Sequence, residues 1–88
     1  MAMSGWSDVV RELHLPETPE TILQASQRLK AAGRLGDALS GLEEVVRRDA
    51  GHITALREMS AVLRQLGRGR EADAVDRRRM AAEADHLV

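Results

Sequence analysis

Apolar residues recur along the chain at steps of three and four. Ile22, Ala25, Leu29 and Ala32 form one run, Leu35, Ala38, Leu39, Leu42, Val45 and Val46 a wider one, and Ile53, Leu56, Met59, Leu63 and Leu66 a third. Each run fits one face of a helix that turns about every 3.6 residues. No stretch alternates apolar and polar positions, so no strand is expected. The punctuation separates the runs. Thr18 stands where a side chain caps free amides, and Pro19 stands where a missing N–H costs nothing. Gly33, Gly51 and Gly67 each follow an apolar run, where a left-handed residue closes a helix. Upstream, "SDVVRELHL" reads as a short extra helix, with Ser7 its cap, Val9, Val10 and Leu13 its apolar face and Pro16 its stop. Glu43 with Arg47 and Glu44 with Arg48 are spaced to pair on the outer face of the second strong helix. The pattern predicts five helices, over about 7–15, 19–32, 36–50, 53–66 and 70–85.

Gly33 and Gly67 lie 34 residues apart, and the same shift aligns Ser26 with Ser60, Leu29 with Leu63, Arg34 with Arg68, Ala38 with Ala72 and His52 with His86. Ile22 then meets Leu56, Lys30 meets Arg64 and Asp37 meets Glu71. These coincidences fall at the helix-ending glycine, at a small residue five positions later and at the large apolar positions of a helix. That placement is what a structural repeat requires. A helix, a glycine-containing turn and a second helix at this period resembles the tetratricopeptide repeat.

The resemblance implies an all-α fold: two stacked antiparallel helical hairpins, a fragment of an α-solenoid, with a short extra N-terminal helix. Residues 1–88 would form a single domain, with the N-terminal helix in 1–17, a first unit at 19–52 and a second at 53–86. In the first unit Ile22, Ala25, Ser26 and Leu29 take the family's first-helix positions, and Ala38, Leu42 and Val45 its second-helix positions. Leu56, Met59, Ser60, Leu63 and Ala72 match in the second unit, while Asp76 and Arg79 depart from the apolar and small residues expected there. Such departures suit a terminal helix that no further helix covers, with "DRRRM" as its solvated side. Two units are fewer than the roughly three such arrays usually need. Three remedies are open: the N-terminal helix with Trp6 as a front cap, pairing of two chains through Met80, Ala84, Leu87 and Val88, or membership of a longer protein.

Composition narrows the function. Thirteen Lys and Arg balance 14 Asp and Glu for a net charge of −1, which gives no broad pull toward nucleic acid or an anionic membrane. Trp6 is the only aromatic residue, so a base-stacking platform has nothing to be built from. The absence of Cys excludes disulfides and thiolate metal sites and is compatible with a reducing compartment. No apolar run approaches the ~20 residues of a membrane span, and the acids near the start do not fit a secretory signal. A cytoplasmic protein is expected.

Candidate chemistry is sparse. His14, His52 and His86 are scattered without ligand spacing, and neither a nucleophile motif nor a phosphate loop appears, so no catalytic residue, metal site or cofactor is expected. By the resemblance, the first helices of the two units line a concave groove carrying Leu23, Gln27, Lys30 and Ala31, then Arg57, Ala61, Arg64 and Gln65. Lys30, Arg57 and Arg64 would make it basic and suited to a peptide with acidic groups. The family's carboxylate clamp also uses Asn, which this chain lacks. Arg77, Arg78 and Arg79 read as a solvated face interleaved with Asp73, Asp76 and Glu83, with an acidic-partner or phosphate contact as the competing reading. Trp6 reads as an anchor for its own helix. The expectation is a non-enzymatic protein–protein interaction module, with self-association open. The alternatives are a docking or oligomerisation segment or accessory subunit of a larger enzyme, and nucleic-acid binding through the last helix.

Overall fold

The computed structural model describes residues 5–87, and among them every regular element is a helix. In chain order these are α1 (Trp6–Glu12), α2 (Pro19–Ala31), α3 (Leu35–Arg48), α4 (Ile53–Gln65) and α5 (Gly69–Leu87). Helix α2 packs along α3, and α4 along α5. Helix α3 joins the two pairs by packing on α4, and α1 lies on both α2 and α3. The chain spans 44 × 29 × 16 Å. Its thin dimension is about what two helix layers ~10 Å apart occupy.

The helix ends explain the boundaries. Thr18 caps α2: its Oγ1 accepts from the Thr21 N–H at 3.2 Å, and its own N–H donates to Thr21 Oγ1 at 2.8 Å. His52, 34 residues later, caps α4 by accepting the Ala55 N–H on Nδ1 at 3.2 Å. Helix α2 ends at Gly33 (φ 80°) and α4 at Gly67 (φ 78°). The Arg34 N–H donates back to the Leu29 carbonyl at 2.9 Å and the Gly33 N–H to Lys30 at 2.9 Å; Arg68 to Leu63 (2.8 Å) and Gly67 to Arg64 (3.0 Å) repeat both bonds. This pair of bonds satisfies free carbonyls and needs a left-handed residue at the turn. Each turn is followed by an ion pair on the next helix, Arg34–Asp37 and Arg68–Glu71, both at 2.6 Å. Capping, turn bonding and ion pairing thus recur at one interval.

Three expectations at helix ends do not hold. The N-cap of α1 is Gly5, not Ser7, and makes no side-chain capping bond. Ser7 falls inside the first turn because the helix begins at Trp6, which the core draws in. Helix α1 also stops well before Pro16: His14 takes the left-handed conformation (φ 56°), with the Leu15 N–H bonded to the Val10 carbonyl at 3.4 Å. Gly51 does not close α3, which ends at Arg48 with Asp49 as an extended C-cap (φ −140°). Finally, Arg47 pairs with Glu44 rather than Glu43, alongside Arg48, whose Nε lies 2.7 Å from Glu44.

One cluster of buried side chains runs through all five helices, from Val9 and Val10 on α1 to Ala72 and Val75 on α5. Helices α3 and α4 contribute equally, with Ala38, Leu39, Leu42, Val45 and Val46 buried on one and Ala55, Leu56, Met59, Val62 and Leu63 on the other. Some of the expected stripes end early: Ala32 is exposed and Leu66, the C-cap of α4, is 38 % exposed. With no Phe or Tyr to fill gaps, the helices approach closely at small residues. Ser26 on α2 is buried and donates from Oγ to the Ile22 carbonyl at 2.8 Å, which leaves its hydroxyl satisfied against α3. Opposite it is Gly41. A methyl there would collide with Ser26 Oγ and lie 3.1 Å from Trp6 Cβ and 3.2 Å from Ser26 Cβ.

Replacing Gly33 or Gly67 by Ala should lower unfolding free energy by a similar amount, about 1 kcal/mol or somewhat more, because both turns need positive φ. Gly41→Ala should destabilise by ~1–3 kcal/mol despite the better helix propensity of Ala, since overpacking at Ser26 and Trp6 outweighs it. Urea unfolding followed by circular dichroism measures all three.

Candidate functional site

The residues expected to line a groove lie on α2 and α4. On α2, Leu23 is half-buried against the core, Gln27 and Ala31 are exposed, and Lys30 is half-buried. On α4, Arg57 and Gln65 are exposed and Ala61 is half-buried. One hydrogen bond bridges the two helices: Gln27 Nε2 donates to Glu58 Oε2 at 2.6 Å. Glu58 was not singled out in the sequence, and its acid sits beside the expected cations. Its neighbour Arg57 was the only signal, since two polar residues following Leu56 leave the apolar stripe together.

Arg64 goes elsewhere. Its Nη1 donates to Ser60 Oγ at 2.5 Å, and its Nη2 donates to Asp73 at 3.0 Å and Asp76 at 2.7 Å. The guanidinium therefore belongs to the α4–α5 joint, and two carboxylates meet its charge. The cause lies in the sequence of α5. At the 34-residue shift, Asp73 and Asp76 stand where α3 has the buried Leu39 and Leu42. An acidic α5 surface draws in the cation that Lys30, its counterpart on α2, has no acid to meet. The Arg64 hydrogen bond, helped by the Ser60 hydroxyl, holds the Asp76 carboxyl below the usual aspartate range.

The polar residues of α5 are not simply solvated, as the sequence suggested. Asp76 and Arg79 are half-buried; Arg79 donates from Nη1 to Glu83 at 2.9 Å and lies 3.9 Å from Asp76. Arg77 and Arg78 are exposed. Met80 and Ala84, half of the expected end stripe, are exposed, Met80 at 59 %; Val88 and the side chain of Leu87 lie outside the described residues.

A second polar joint holds α1. The Arg48 guanidinium lies 5.9 Å from the Trp6 ring centroid and donates to Glu44 at 2.7 Å and Glu17 at 2.6 Å. Trp6 therefore anchors α1 to α3. The Arg48 bond, with Arg47 beside it, keeps the Glu44 carboxyl below the ordinary glutamate range. Between α1 and α2 lies an open cleft of about 270 Å³, floored by Val9, Leu13, Leu29 and Ala32 and edged by Glu12, Arg28 and Arg34. It depends on where α1 rests, and the local pattern carried no sign of it. One signal for the placement of α1 was present: "GWSDVVRE" and "GLEEVVRR" share Gly, Val, Val and Arg at a shift of 36 residues. In both segments the paired valines are buried and an acid pairs with the Arg three residues on, Asp8 with Arg11 and Glu44 with Arg47.

Among the described residues no group of three or more His, Asp or Glu side chains is placed to hold a metal ion. His52 serves as a helix cap, with Nε2 3.6 Å from Glu20. No described helix is long and apolar enough to cross a membrane. Comparison with family models, curated proteins and solved structures finds no match.

The depressed Asp76 and Glu44 carboxyls set a pH dependence. Each pKa is lower in the folded chain, so the stability it adds is present above the ordinary carboxylate value of about 4 and is lost as pH falls further. Asp76→Asn should be less stable than the parent at pH 7 and should lose less on acidification. Urea midpoints taken from neutral to acid pH test this; parallel curves for parent and variant would contradict it.

Proposed function

We propose that the chain is a two-unit helical-repeat module of the tetratricopeptide type, with units at 19–52 and 53–86, that binds another polypeptide across α2 and α4 without a chemical step. The observation that carries the reading is the recurrence at 34 residues of cap, left-handed turn and ion pair, at Thr18, Gly33 and Arg34–Asp37 and again at His52, Gly67 and Arg68–Glu71. Such a unit cannot bury its apolar edge alone, and stacking leaves one helix of each pair lining a shared surface. Helices α2 and α4 supply Leu23, Gln27, Lys30, Arg57 and Gln65 to that surface. Arg64, held by Asp73 and Asp76, supports it from behind.

This arrangement favours a partner that offers an apolar contact for Leu23 and mixed polar groups over one chosen for acidity. Glu58 beside Arg57, and the internal neutralisation of Arg64, remove much of the basic character that Lys30, Arg57 and Arg64 suggested in sequence. Self-association of two chains, through the exposed Met80, belongs to the same reading as a separate contact.

Peptides selected by display against the full chain should lose at least ~tenfold in affinity for the Leu23→Glu/Arg57→Glu variant, a difference of about 1.4 kcal/mol. Binders indifferent to both substitutions would place recognition on another face and overturn this assignment. Light scattering at two concentrations decides self-association, and a constant monomer mass removes that contact.

A further inference from the structure

The four acids that punctuate the first fifteen residues of α5 are all spent inside the molecule. Glu71 is held by Arg68, Asp73 and Asp76 by Arg64, and Glu83 by Arg79. In the sequence they read as neutralising the whole arginine run; in the folded chain Arg79 is the member of that run they meet, through Glu83 and Asp76. Arg70, Arg77 and Arg78 are exposed, and none of them makes an ion pair or side-chain hydrogen bond with a described residue. At about 100° per residue Arg70 and Arg77, with Ala74, Ala81 and Asp85, fall on the side of α5 opposite the buried Ala72 and Val75, and Arg78 stands at the edge of that side, about 100° round from Arg77. The corresponding side of α3 is mixed, carrying Glu43 and Arg47.

We propose that this outward face of α5 binds an acidic polypeptide segment, through the unpaired guanidinium groups of Arg70, Arg77 and Arg78. The inference stands apart from the α2–α4 surface. Charge complementarity selects the occupant. Each guanidinium presents a planar fork that matches a carboxylate through two parallel hydrogen bonds. Arg70 and Arg77 are two turns apart, about 10 Å along the axis, a spacing that carboxylates two turns apart on a partner helix reproduce. Ala74 lies between Arg70 and Arg77 and Ala81 one turn beyond them, and both let a backbone approach. Asp85 offsets one charge at the far end, so the attraction is concentrated toward the start of α5. A long polyanion is disfavoured, because three cations make a small footprint on a chain whose net charge is −1.

The test is fluorescence anisotropy of a labelled oligo-glutamate with the full chain at low salt, beside a double-stranded DNA of equal charge. The expected result is salt-sensitive binding of oligo-glutamate, weaker by about tenfold when Arg70, Arg77 and Arg78 are all changed to Gln. A control with Arg11, Arg28 and Arg47 changed to Gln carries the same net charge and should bind as the parent does. Circular dichroism checks that each variant is folded; because all six side chains are exposed, none should unfold. Absent binding, equal loss in the control, or no loss in the α5 variant each overturns the proposal. Tighter binding of DNA than of oligo-glutamate also overturns it, in favour of a nucleic-acid contact.

Discussion

Three helices converge on Gly41, and the fold depends on how close they come there. The space a methyl group would need is already taken by Ser26 of α2 and the Cβ of Trp6 of α1. A chain with one aromatic residue cannot fill wide gaps between helices, so its core must be thin and tightly shut. Glycine in mid-helix weakens α3 by up to about 1 kcal/mol relative to Ala. That cost is offset by letting α1 and α2 reach the valines and leucines of α3. The buried Ser26 hydroxyl takes the Ile22 carbonyl of its own helix and so leaves no polar debt in the contact.

The two hairpins share their turns but differ in what covers them. Helix α3 has neighbours on more than one side, α2, α4 and α1, and meets them mainly through apolar side chains, with Arg48 over Trp6 as a polar contact to α1. Helix α5 is longer and has α4 as its principal neighbour, and among its described apolar side chains only Ala72 and Val75 are buried. Ala82 packs against the same cluster, and the other inward positions are ionic. Arg64, Asp73, Asp76, Arg79 and Glu83 form a chain of paired charges that caps the apolar stack. This network also decides where charge is left over: Arg64 is taken up where α4 meets α5, and Arg70, Arg77 and Arg78, which pair with no described residue, stay exposed on α5.

The number of helices and the main apolar positions were legible because each depends on the residues three and four positions away. The stretch 35–46 reads correctly for that reason: its stripe is strong enough that any packing partner must meet the same face. Helix ends were legible where the backbone demands a residue type, as at Gly33 and Gly67, and misread where glycine was present without that demand, as at Gly51. His14 is the converse, a left-handed closure at a residue that does not advertise one. Spacing put Leu23, Gln27 and Arg57 off the main apolar stripes, and the resemblance to a repeat family put them on one shared surface. The direction of Arg64 could not be placed in that way, since a long side chain chooses among acids that only the fold brings near.

The sequence by itself determined the helical period, the stretches that would coil and the 34-residue spacing of their glycines, because these follow from short-range sterics and from the alternation of oil and water along one helix face. Only the tertiary structure decided which polar and charged groups meet. Glu58 meets Gln27, Asp76 meets Arg64 and Glu17 meets Arg48 across separations of 31, 12 and 31 residues, and no local pattern encodes such pairs. Electrostatic pairing depends on distance in space, and the packing of α1 on α3 and of α4 on α5 sets those distances.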